Sequence, residues 1–196
     1  METEEIKELL ISAVALAFVF GFAYSGGVGN LERLAIFFPV SLLVVSLGFV
    51  LHELGHRTIA KRFDCHAQYK LWREGLILAF VITLLSNGNF IFAAPGAVMI
   101  YPKADLWGRA AALTRKKMGL ISIAGPGMNI LLAGVFITLG FLYPFFIFSL
   151  GAYINVWLAL FNMIPFPPFD GSKIFAWDWR IWLSLLIPLI ILFILL

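Results

Sequence analysis

Two histidines four residues apart, with a glutamate after the first, form the stretch HELGH at 52–56. On a helix, positions i and i+4 lie on one face, a turn apart. His52 and His56 placed in this way can grip one Zn²⁺ ion, and Glu53 beside them can take a proton from a water that the metal activates. The bland alternative is a chance match, with both imidazoles solvated at a helix end. A catalytic zinc needs a third protein ligand and one position left open. The segment NMIPFPPFDG, 162–171, offers Asp170. Pro165, Pro167 and Pro168 cannot continue a helix, so the chain is expected to run extended to Asp170, held by a turn that Gly171 permits. Asp-Gly is also an ordinary turn signal, so a plain polar turn at the end of a span is the competing reading. Cys65 and His66 lie nearer in sequence, but they are expected in a solvated loop beyond a helix end. Nothing near Cys65 suggests an activated thiol. A third stretch, AGPGMN at 124–129, combines helix-loosening Gly and Pro with a polar amide, Asn129, in apolar surroundings. Alone, such an amide reads as glue between membrane helices.

The elements that must carry these residues are apolar. Of 196 residues, 62% are hydrophobic and 13% charged, about half the charged fraction of an ordinary soluble domain. Mean hydropathy is +0.97. These values predict an all-α polytopic membrane bundle forming one domain over residues 1–196. The single cysteine rules out an internal disulfide. The net charge of +3 fits basic loops that orient a membrane protein, not a nucleic-acid surface. The start, METEEIKELL, is acidic where a signal peptide would be basic, so residues 9–24 are expected to be a retained first membrane helix.

Runs of membrane length are expected at 9–24, 34–60, 119–141, 143–164 and 179–196. A sixth apolar segment fills 75–100. Arg57, Lys61, Arg62, Lys70 and Arg73 precede it, and Lys103, Arg109, Arg115, Lys116 and Lys117 follow it. Both basic clusters should face the cytoplasm, so the segment between them must cross an even number of times. It is too short for two spans. The break SNGN at 86–89 predicts a re-entrant helix near 75–86 and an extended arm through FIFAAPGAV, 90–98. One tilted span is the alternative. The hairpin reading places the N-terminus in the cytoplasm, and it brings HELGH, AGPGMN and Asp170 to the cytoplasmic side at similar depth.

The set HELGH, GPGMN and NMIPFPPFDG, in that order, resembles the site-2 protease family of intramembrane zinc metalloproteases, peptidase family M50. The resemblance covers about residues 34–175. It implies His52, His56 and Asp170 as ligands of one zinc ion and Glu53 as general base. It further implies that Asn129 positions the substrate carbonyl or the developing oxyanion, and that Asn162 and the prolines frame Asp170. The expected substrates are transmembrane helices of other proteins, cut within the bilayer of the cell membrane. The sequence carries no PDZ domain and no pair of CBS domains, which some members use. The arm at 90–98 occupies the place of the family's edge strands, where it can clamp an unwound peptide by strand addition or merely pack. Two rival readings are a membrane zinc-binding or transport protein, which leaves Glu53 without a role, and a catalytically silent relative.

Overall fold

The computed structural model describes residues 3–103 and 112–196. In lipid each backbone N–H and C=O must find its partner within its own segment, so long apolar runs form helices. Helix α1 spans Thr3–Ser25 and α2 spans Leu31–Arg62, separated by a short 3-10 turn at Gly27–Asn30. Strand β1 (Cys65–Leu71), helix α3 (Arg73–Leu85) and strand β2 (Gly96–Pro102) follow. The chain then forms α4 (Arg115–Leu142), α5 (Phe146–Asn162), α6 (Asp170–Trp177) and α7 (Trp179–Leu195). Among the described residues three helices, α1, α2 and α4, are long and apolar enough to cross a membrane, and α5 and α7 are shorter apolar helices of 17 residues. Their outward faces carry large apolar side chains such as Leu10, Leu43, Leu131 and Ile194. A multi-pass membrane protein hides such a surface in lipid. The inner faces meet in a core of Leu16, Phe20, Val44, Val45, Leu150 and Ile154 from α1, α2 and α5.

The fold departs from all-α in one place. β1 and β2 pair antiparallel, from Cys65 opposite Pro102 to Leu71 opposite Gly96. The stretch expected to be a solvated loop is therefore a strand. Its alternation is visible in retrospect: Cys65, Ala67 and Tyr69 are buried, and His66 and Lys70 are exposed. That is the period of a strand with one face on a core. Within the 75–100 segment, the helix and the extended arm after it fall where expected. α3 ends before SNGN, where Asn87 and Gly88 take positive φ values of 50° and 82°. The chain then runs extended into β2. At 13 residues and about 1.5 Å per residue, α3 is too short to span a bilayer by itself.

α1 closes the β1 edge that β2 leaves free. The buried Glu5 carboxylate pairs with Arg57 of α2 and accepts the Tyr69 N–H at 2.9 Å. The Glu8 carboxylate accepts the Leu71 N–H at 3.1 Å. The Ser12 and Tyr69 hydroxyls meet at 2.8 Å. A buried carboxylate is tolerated when it is paired and hydrogen-bonded, and here that requirement ties α1, α2 and β1 together. Among the basic residues expected to mark one side, Arg109 lies outside the described residues.

Candidate metal centre

The centre is built from the last turns of α2, the early turns of α4 and the first residue of α6. His52 and His56 project from one face of α2 and are both buried. Their Nε2 atoms lie 3.0 Å apart. Asp170 Oδ2 lies 3.3 Å from His52 Nε2 and 2.9 Å from His56 Nε2. Zinc bonds of about 2.0–2.1 Å at tetrahedral angles set their ligand atoms about 3.3 Å apart, so this triangle is close to that of three such ligands.

The chemistry of the donors fits a cation. His56 Nδ1 lies 2.8 Å from the Ile121 carbonyl, which can only accept, so neutral His56 keeps its proton on Nδ1 and turns the Nε2 lone pair inward. His52 Nδ1 lies 2.6 Å from Asn129 Oδ1, with the same consequence. Two lone pairs and a carboxylate then point at one another, a repulsive arrangement that a metal cation relieves. Among the described residues His52, His56 and Asp170 form the one cluster of His, Cys, Asp or Glu able to hold a metal, with ligand atoms within 4.8 Å of one another. It keeps a position open, as catalytic zinc sites do.

Local sequence explains how the helices come so close. A Cβ on Gly125 would overlap Nε2 of both His56 and His52, so only glycine lets α4 pass this face of α2. Asp170 arrives differently from expectation. It opens α6 instead of sitting in a turn, and Gly171 is needed for close approach rather than for unusual φ: its Cβ would overlap the Met163 backbone carbonyl. The prolines of 165–168 keep the chain out of helix between α5 and α6. The Trp182 indole N–H donates to the Met163 carbonyl at 2.8 Å, which ties α7 to the end of α5. Lys173 Nζ lies 3.4 Å from Asp170 Oδ1, which leaves Oδ2 to face the histidines.

Glu53 lines the same cavity as His52, His56, Asp170, Lys173, Asn162 and the β2 residues Gly96 to Val98. Its Oε2 atom is buried and takes no hydrogen bond among the described residues. The cavity measures about 20 Å³, enough for about one water molecule. Asn162 donates to the Leu158 carbonyl at 2.9 Å. Asn129 is fully buried, and both ends of its amide are engaged. Oδ1 meets His52, and Nδ2, the group that would face a substrate carbonyl, donates to Gly48 O at 3.2 Å and Asn155 Oδ1 at 3.0 Å. Cys65 and His66 stay on β1, outside the cluster. The sequence reading missed Asn155, Lys173 and Glu5. The first was marked by an amide inside the apolar GAYINVWLAL, and the second by a basic residue three positions after Asp170. Nothing local marked Glu5.

Comparison with known proteins finds zinc metalloproteases. The family model described as "Peptidase family M50" matches residues 40–146, a region that holds HELGH and GPGMN and ends before Asp170. A Methanocaldococcus jannaschii protein named "Putative zinc metalloprotease MJ0611" is 40% identical over 191 residues, covering 95% of this chain and 91% of that protein. A Bacillus subtilis protein named "Putative zinc metalloprotease YwhC" is 28% identical over 165 residues, 71% of each chain. No solved structure matches. With the family model over more than half its length and a 40% identical relative along nearly all of it, this chain belongs to peptidase family M50.

Proposed function

We propose that this protein is an intramembrane zinc endopeptidase that hydrolyses peptide bonds in or near transmembrane helices of other membrane proteins. The observation that carries the reading is the meeting of His52 Nε2, His56 Nε2 and Asp170 Oδ2 within 4.8 Å, with Glu53 on the same cavity. The names of both relatives point to zinc and to proteolysis. His52, His56 and Asp170 would hold the zinc. Bound there, zinc supplies a Lewis acid that polarises the water and the scissile carbonyl.

The chain's own residues do the rest. Glu53 takes a proton from the attacking water as its oxygen bonds to the carbonyl carbon. It returns that proton to the amine as the C–N bond breaks. Lys173 fixes the Asp170 carboxylate. Asn129 holds the His52 ring through Nδ1, a positioning role that its engaged amide favours over direct contact with substrate. A cavity for one water does not admit a peptide, so the wall formed by the arm and β2 must part. The β2 edge facing away from β1 is suited to receive an unwound substrate as an added strand. A helix must unwind first, because its carbonyls are sheltered by its own hydrogen bonds.

The membrane arrangement is part of the proposal. α1, α2, α4, α5 and α7 are five spans, α3 and the following arm are a re-entrant hairpin, and residues 1–196 work as one domain. Arg57, Lys61 and Arg62 beside HELGH, with Arg115, Lys116 and Lys117 beside GPGMN, put the N-terminus and the opening of the site on the cytoplasmic side.

Two variants test the chemistry. Glu53→Gln should keep full zinc and lose cleavage of a membrane-embedded model substrate by about 10²- to 10⁴-fold. Asp170→Ala should lose zinc on metal analysis of the purified protein. Persistent cleavage in the first, or full zinc in the second, would overturn the assignment. Unchanged zinc transport by Glu53→Gln would favour the transport reading instead.

A further inference from the structure

We propose that Asn155, in the middle of α5, is a positioning residue for the metal centre, acting through Asn129 on His52. The inference rests on the reading of His52 as a metal ligand. Asn155 is fully buried in an otherwise apolar stretch, and its amide ends a one-way chain of hydrogen bonds. Asn155 Nδ2 donates to the Gly151 carbonyl at 2.9 Å. A carbonyl only accepts, so the other end of that amide, Oδ1, must face Asn129. Asn129 Nδ2 donates to it at 3.0 Å, and to the Gly48 carbonyl at 3.2 Å. Both hydrogens of the Asn129 amide are thereby used, and its Oδ1 is turned to His52 Nδ1 at 2.6 Å. His52 can then only donate from Nδ1, and its Nε2 lone pair faces Asp170 and His56.

Two backbone carbonyls on two helices, Gly151 of α5 and Gly48 of α2, thus fix the direction of the whole chain. Without Asn155, Asn129 would keep one donor bond at 3.2 Å and a buried N–H without a partner. The amide could then tilt, and with it the His52 ring. His56 needs no such relay, because the Ile121 carbonyl holds it directly. The two ligands of one motif are therefore oriented by different means: one by the backbone of α4, the other by side chains that join α4 to α5. Partners that orient a ligand histidine typically matter 10- to 100-fold in metal affinity.

The test uses the full-length protein in detergent with Zn²⁺ as the probe. In the unaltered metal-free protein, ¹⁵N-labelled histidine spectra should show His52 protonated at Nδ1. Asn155→Leu, with the same branched heavy-atom skeleton but no polar atoms, should weaken Zn²⁺ binding about tenfold in competition with a chromophoric chelator, and should broaden or shift the His52 Nδ1–H signal while that of His56 stays in place. Asn155→Asp, which as a neutral acid can donate to Gly151 O and accept from Asn129, should restore most of the affinity. A His52 proton on Nε2 in the unaltered protein, or wild-type Zn²⁺ affinity in Asn155→Leu, overturns the proposal. Should Asn155→Leu not fold, the unaltered protein's spectrum and Asn155→Asp decide it alone. If the unaltered protein binds no Zn²⁺ at this site, the proposed function itself fails, an outcome the metal-free spectrum does not share.

Discussion

At the scale of residues, the centre depends as much on what is missing as on what is present. His52, Glu53 and His56 bring the reactive groups, but a glycine at 125 makes room for them. Gly125→Ala would put a Cβ onto both ligand nitrogens. We expect it to weaken Zn²⁺ binding by about tenfold or more, read by chelator competition, with helix content by circular dichroism unchanged because alanine favours helix over glycine. Tight Zn²⁺ binding by this variant would mean that α4 can back away from α2 at no cost. The same scale shows where spacing was informative. HELGH announces its own geometry because i and i+4 on a helix must share a face. Asn129 does not, since whether a buried amide faces substrate, ligand or a neighbouring helix depends on which carbonyls surround it.

At the scale of elements, the small sheet is the part that composition concealed. Seven residues of alternating burial in β1 are too few to stand out against long apolar helices. Glu5 and Glu8 occupy backbone N–H groups on the β1 edge away from β2. That leaves the opposite edge, on β2, as the place where a substrate strand can add. Val98 faces Tyr69, whose N–H turns away from β2, so by the alternation of an antiparallel pair the Val98 N–H also points outward from the ladder. Val98→Pro removes that donor and leaves the β1–β2 bonds in place. We expect KM for a membrane substrate to rise about 2- to 10-fold, the equivalent of one hydrogen bond, with zinc content unchanged. An unaltered KM would show that the arm packs without clamping.

At the scale of the whole molecule, the proposed arrangement across the bilayer rests on charge. β1 joins the basic end of α2 to α3, and His66 lies exposed on it while neighbouring Cys65 is buried. A membrane-impermeant maleimide should therefore label His66→Cys in inside-out vesicles and spare it in right-side-out ones, with little background from Cys65. Labelling from the outer side would reverse the proposed orientation. The sequence alone determined the long apolar helices, because uninterrupted apolar runs in lipid have one way to satisfy their backbone. It also determined the two-histidine grip, because that geometry is local. Tertiary structure decided the rest. Asp170 meets His52 and His56 across more than a hundred residues only because Gly125 and Gly171 let three helices touch. The carbonyls that fix each imidazole come from α4 in one case and from α2 and α5 in the other. Those partners are set by packing between helices, and no spacing along the chain encodes it.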